Sequence, residues 1–92
     1  MPDQSAHYYV YIFGGDPRKD VEIGLVDNLL QHVQLSRETA KGANLVYYEH
    51  YNEEEVALHR ERQIKSGGID STYLLVESMN PNWLDLSDTL SF

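Results

Sequence analysis

The chain has 92 residues, an ordinary globular share of hydrophobic residues (41%) and no cysteine. This length suits one compact domain and leaves no room for two, and the lack of cysteine excludes disulfides and thiolate metal sites. Fifteen acidic residues against seven basic residues give a formal net charge of −8, and a field of this sign repels DNA, so general duplex binding is doubtful.

The N-terminal residues, Met1 to Ala6, are polar, and no apolar run is long enough to cross a bilayer. We therefore expect a soluble cytoplasmic protein with no membrane partner. We expect a single domain over residues 1–92, with a core over about 7–86 onto which Trp83 and Leu86 pack back. The tail, residues 87–92, is expected to be loose.

The first half of the chain predicts two strands and a helix. Aromatic and β-branched residues at 7–13 predict the first strand. A turn signal at 14–17 leads to a short second strand at 21–25, so the two strands form a hairpin. Asn28, or the aspartate before it, can cap a helix that runs to about residue 40.

The second half predicts one strand and two helices. Residues 44–51 form the third strand, and Asn52 with Glu55 offers a variant of the capping box for a helix that ends near residue 65. The last helix is capped by Asp70 or Ser71 and ends before Pro81, because proline disfavours helical geometry in the preceding residue. The elements follow the order β-β-α-β-α-α, which predicts an α+β fold.

Five segments carry a family resemblance, and in chain order they are residues 8–13, 22–24, 45–49, 60–65 and 79–86. The first looks like the opening strand of the GIY-YIG nuclease superfamily, and the second takes the place of its second triplet. The last segment is similar to the closing segment of the small, single-domain bacterial branch, which resembles the nuclease domain of a DNA-repair excinuclease. The resemblance implies a three-stranded antiparallel sheet flanked by helices.

The resemblance also implies metal-dependent phosphodiester hydrolysis, with Mg²⁺ or Mn²⁺ as the ion. Tyr11 matches the tyrosine of the first triplet, and Glu61 stands where the metal-binding glutamate belongs. The other three positions are changed: Glu22 replaces the second tyrosine, His32 replaces the arginine and Ser36 replaces the histidine.

These changes remove groups that phosphate chemistry needs. Ionised Glu22 can only accept hydrogen bonds and repels DNA, whereas a tyrosine hydroxyl can donate. Losing the arginine removes a permanent cation whose fork fits phosphate oxygens. We therefore expect a catalytically inactive or impaired domain that acts as a binding or scaffold module for a protein or a small ligand.

The alternative is a working divalent-metal-dependent endonuclease in DNA repair or processing. It would use Tyr11, His32 and Glu61 with Mg²⁺ or Mn²⁺, and Glu22 would serve as a second ligand or as the base. Glu22 and Glu61 together could hold Mg²⁺ or Ca²⁺, but we favour the simpler expectation that Glu22 pairs with His32 or faces water.

The remaining histidines show no ligand spacing such as His-x-x-x-His, so no metal cluster is predicted among His7, His50 and His59. Within the first strand, Tyr9 and Tyr11 should share one face of the sheet and Val10 and Ile12 the other, so most tyrosines are expected to be structural.

Overall fold

The predicted element order is confirmed in a computed structural model, which describes residues 6–14, 21–39 and 44–90, without the side chains of residues 36–39 and 88. In chain order the elements are β1 (Tyr8–Gly14), β2 (Val21–Val26), α1 (Leu29–Thr39), β3 (Asn44–Tyr51), α2 (Glu54–Ser66), α3 (Gly68–Met79) and a short 3₁₀ helix (Ser87–Thr89). Within these ranges no helix combines the length and apolar character needed to cross a bilayer.

The sheet is antiparallel, with β1 in the centre and the strand order β2-β1-β3. Tyr11 lies opposite Gly24 of β2 and Tyr48 of β3. The β1–β3 register shifts between Ile12 and Phe13, which leaves Val46 as an extra residue in β3. Such a bulge re-aims the neighbouring side chains and leaves the ladder locally unpaired.

The alternation of β1 builds a hydrophobic core on each face of the sheet, as the sequence predicts. On one face Val10 and Ile12 pack against α2 and α3, through Ala57, Ile64 and Val76. The other face carries Tyr11 and Phe13, and its buried partners are Leu29, Val33, Leu45 and Leu90. Tyr9 is packed against this second core, so it shares a face with Tyr11.

One predicted helix cap is confirmed and two are wrong. The side chain of Asn28 accepts a hydrogen bond from the Gln31 backbone amide at 3.0 Å, so it caps α1. The cap of α2 is Glu53 and has no side-chain hydrogen bond. Asn52 lies one residue before the cap, and its amide donates to the carbonyl of Ala6 at 3.3 Å.

The last long helix begins earlier than predicted. Asp70 and Ser71 lie inside α3, which starts at Gly68 immediately after Gly67. Gly68 has a φ of +87°, a conformation that glycine adopts at low cost, so the chain passes from α2 to α3 without a loop. The predicted end of α3 before Asn80 is confirmed. The predicted turn at 14–17 and the end of α1 near residue 40 lie largely outside the described residues.

Asn80 joins the closing segment to the bulge in β3. It is 5% exposed, and its amide donates to the carbonyls of Val46 at 3.0 Å and Leu84 at 2.8 Å. Its oxygen accepts from the Leu84 amide at 3.0 Å. Further on, the Leu86 amide donates to the Leu45 carbonyl at 2.7 Å. The segment after α3 therefore supplies hydrogen bonds to the outer edge of β3 at the bulge.

The end of the chain is more ordered than the sequence suggests. The expectation of a loose tail from residue 87 is wrong for Leu90, which is 2% exposed and belongs to the core beneath α1. Burying a leucine stabilises the fold by about 1.5–3 kcal/mol, which matters in a domain this small. Residues 91–92 lie outside the described residues. Trp83, predicted to pack back, fills the space beside Gly14.

Candidate functional site

Tyr11 is the centre of the candidate site, and its position follows from the register of β1 and β2. Its ring lies across Gly24, where any side chain would collide with the phenol. From there the Tyr11 hydroxyl donates a hydrogen bond to Oε2 of Glu22, on the same strand as Gly24, at 3.3 Å. Glu22 itself is exposed. Glu22 thus binds Tyr11, the two residues that the resemblance assigns to the second and first triplets.

This environment keeps the phenol protonated at neutral pH. Burial raises the pKa of Tyr11 to about 12, and the charge of Glu22, its hydrogen bond and the charge of Glu61 act in the same direction. A general base works best with a pKa near the working pH. Tyr11 therefore cannot serve as an efficient base at neutral pH in this arrangement.

His32 reaches the same place from α1. Its ring lies 4.8 Å from the ring of Tyr11 and 5.7 Å from that of Phe13, against which it stacks with an angle of 7° between the planes. Its Nε2 atom is buried and has no hydrogen-bond partner among the described residues. Buried polar atoms are nearly always satisfied in folded proteins, so this nitrogen is the exceptional atom of the site. We call Tyr11, Glu22 and His32 the Tyr11 cluster.

The resemblance singles out two further residues, Glu61 and Ser36. Glu61 lies on α2, and its charge acts on Tyr11, but its Oε2 atom is 3.1 Å from Nζ of Lys65. Ser36 belongs to α1, and its side chain lies outside the described residues. The structure therefore brings Glu22 and His32 each against Tyr11 and sets Glu61 within electrostatic reach of Tyr11.

The carboxylates near Tyr11 are poorly placed to bind the divalent ion that the resemblance implies. Carboxylates suit Mg²⁺ or Mn²⁺, but Glu61 is paired with Lys65 and Glu22 holds the hydroxyl of Tyr11. Among the side chains that the structure describes, no group of three or more histidine or acidic residues is arranged to hold a metal. A divalent ion at Glu61 or Glu22 stays a prediction.

A second polar cluster, which the sequence analysis missed, lies between β3 and α2. Glu49 accepts two hydrogen bonds from Nε of Arg60, at 2.9 and 3.2 Å, and one from its Nη2 at 2.9 Å. It also accepts the hydroxyls of Tyr47 and Tyr51, the latter at 2.6 Å. We call these four residues the Glu49 cluster. Their signal in the sequence is the alternation Tyr-x-Glu-x-Tyr, which aims all three side chains to one face of a strand.

The Glu49 cluster engages the guanidinium of Arg60, whose side chain is 28% exposed. Burial alone would raise the pKa of Glu49, but the hydrogen bonds from Arg60, Tyr47 and Tyr51 outweigh it and the pKa is lowered. The hydrogen bond to Glu49 in turn raises the pKa of Arg60. With its fork occupied by a carboxylate, Arg60 is not free to bind a phosphate.

Two cavities lie apart from the Tyr11 cluster. One has a volume of about 460 Å³ and lies where β1, β3 and the start of α1 meet, lined by His7, Tyr9, Asp27, Asn28, Leu29, Leu30 and His50. The other, of about 520 Å³, is lined by Tyr47, Tyr48, Glu49, Met79, Leu86 and Thr89. Neither of these cavities is lined by any of the five residues that the resemblance singles out.

Comparison with known proteins gives no relative from which a function can be transferred: no protein-family model, no curated protein and no solved structure matches this chain.

Proposed function

We propose that this chain is a GIY-YIG-like domain that does not hydrolyse phosphodiesters and acts as a cytoplasmic binding or scaffold module for a protein or a small ligand. The observation that carries the proposal is the hydrogen bond from Tyr11 to Glu22. This bond ties the phenol to a carboxylate. The pKa of Tyr11 is raised to about 12, mainly by burial, and the hydrogen bond to Glu22 acts in the same direction.

The lack of a free cation at the site, among the side chains that the structure describes, supports the same proposal. In phosphoryl transfer, a fixed positive group stabilises the charge that develops on the phosphoryl oxygens. Removing one such electrostatic donor typically lowers kcat by about 10²–10³-fold. Here Arg60 is bound by Glu49 and Lys65 by Glu61, and Glu22 adds a negative charge beside Tyr11.

The direct test is a cleavage assay on supercoiled plasmid and on branched DNA with Mg²⁺ or Mn²⁺. We expect the purified protein to leave the DNA uncut for at least as long as a control nuclease needs to digest all of it. Scission by the wild type that disappears in Glu61→Ala would contradict the proposal and support the alternative, a divalent-metal-dependent endonuclease in DNA repair or processing.

One observation favours that alternative: His32 has a buried nitrogen without a partner among the described residues, and its ring packs against that of Tyr11. A separate test asks whether the three changed positions account for the expected lack of activity. The triple variant Glu22→Tyr, His32→Arg, Ser36→His restores the family residues. We expect it to gain metal-dependent scission, and the same variant with Tyr11→Phe to lose it. If the triple variant cleaves DNA and the wild type does not, the residues at these three positions account for the inactivity of the wild type.

A further inference from the structure

The structure brings together two histidines that the sequence analysis kept apart. His7 precedes β1 and His50 lies in β3, two strands that pair antiparallel with Tyr9 opposite His50. Nδ1 of His7 and Nε2 of His50 are 2.8 Å apart, and the two rings stack with their centroids 5.0 Å apart. The prediction that His7, His50 and His59 form no metal cluster rested on spacing along the chain, and such spacing does not reveal this pair.

We propose that His7 and His50 form a binding site for a late first-row divalent metal ion such as Zn²⁺. Neutral imidazole nitrogens are preferred ligands of these ions. Two nitrogens that bind one tetrahedral zinc at about 2.0–2.1 Å lie about 3.3 Å apart. The pair needs to open by about 0.5 Å from its present hydrogen-bonded distance, which small rotations of two exposed rings supply.

The surroundings of the pair suit an ion with a partial water shell. His7 and His50 both line the cavity of about 460 Å³, and Asp27 borders the same cavity and contributes a negative charge. The ring of Tyr9 lies 5.0 Å from that of His50 and helps to hold it in place. A net charge of −8 raises the local concentration of cations around the protein. Two imidazoles and water complete the coordination, with no third protein ligand required.

The site is independent of the proposed function. It uses none of the family positions, and its nitrogen ligands select a different kind of ion from the magnesium implied there. Magnesium prefers oxygen ligands and dehydrates reluctantly, so a large excess of Mg²⁺ should not displace zinc from the histidine pair. A nuclease test and a zinc test can therefore succeed or fail separately.

The experiment is a titration of untagged protein with Zn²⁺ at pH 7.5, followed by calorimetry and by NMR of the histidine ring protons. We expect one equivalent to bind, with shifts of the His7 and His50 ring signals. His7→Gln and His50→Gln should each weaken binding by more than about tenfold, since even the outer partners of metal ligands contribute about 10–100-fold. The matched control is His59→Gln, an exposed histidine on α2, which should bind as the wild type does.

Three results would overturn the proposal. The first is the absence of heat and of ring shifts at a several-fold excess of Zn²⁺. The second is binding that survives both His7→Gln and His50→Gln, which would place the ion elsewhere. The third is displacement of zinc by Mg²⁺, which would indicate an oxygen site.

Discussion

The pair formed by Arg60 and Glu49 is expected to make a strong polar contribution to stability. The guanidinium donates three hydrogen bonds to the carboxylate, and the side chains are only 28% and 17% exposed. Exposed ion pairs contribute about 0–1 kcal/mol, whereas hydrogen bonds to charged groups contribute about 1.5–3 kcal/mol. We therefore expect Arg60→Ala to lower the free energy of unfolding by about 2 kcal/mol. In a domain of this size that corresponds to a fall in Tm of about 8–16 °C.

Thermal and urea unfolding at pH 7 measure this effect, with Arg62→Ala as the matched control, because Arg62 lies on the same helix and is exposed. The pH dependence gives an independent check. The pKa of Glu49 is lowered in the folded state, so the stabilisation is present above the ordinary glutamate pKa and is lost as the pH falls through the lowered value. The gap between wild type and Arg60→Ala should therefore narrow in acid. An Arg60→Ala protein as stable as Arg62→Ala would refute the reasoning.

Three further predictions concern the closing segment and the Tyr11 cluster. Asn80→Ala leaves the carbonyls of Val46 and Leu84 without their donor and should lower the free energy of unfolding by about 2–4 kcal/mol in urea denaturation, whereas the exposed neighbour variant Asn82→Ala should be silent. Leu90→Ala removes a side chain that is 2% exposed. It should lower Tm in a thermal scan by an amount equivalent to about 2–5 kcal/mol, and a neutral result would mean that the end of the chain is loose after all. Tyr11 should ionise near pH 12 in absorbance titration, and Glu22→Gln should lower its pKa, with burial keeping it above the ordinary value. Since the folded pKa is the higher one, this group's stabilisation is complete below pH 10 and is lost as the pH rises towards 12.

The strands and their faces could be predicted from the sequence because a strand has a simple period. The aromatic and β-branched run in β1 determined both the strand and the separation of Tyr11 from Ile12. Helix starts were harder, since a cap depends on which other partners a side chain finds. Asn52 has the right chemistry for a cap, but α2 takes Glu53 as its cap residue, and Asn52 lies before it with its amide donating to the carbonyl of Ala6.

The sequence predicts some residues of the candidate site but not the contacts that they make. A family resemblance supplies positions, so Tyr11, Glu22 and His32 could be named before their contact was known. It does not supply the partners of residues outside its motif. The contact of Arg60 with Glu49 depends on how α2 packs on β3, and the contact of His7 with His50 depends on how β1 pairs with β3. Spacing along one segment does not reveal contacts of these two kinds.

The distribution of charge explains why restoring one residue should not suffice to produce a nuclease. The structure describes three basic side chains, of which Arg60 is bound by Glu49, Lys65 is paired with Glu61 and Arg62 is exposed on α2. Changing Glu22 to tyrosine frees the hydroxyl of Tyr11 but brings no cation to the phosphate. Changing His32 to arginine brings a cation close to Tyr11, whose hydroxyl is bound by Glu22, and a guanidinium that reaches this carboxylate pairs with it as Arg60 pairs with Glu49. Both changes are therefore needed together. Comparing DNA cleavage by the single, double and triple variants measures how much each substitution contributes to activity.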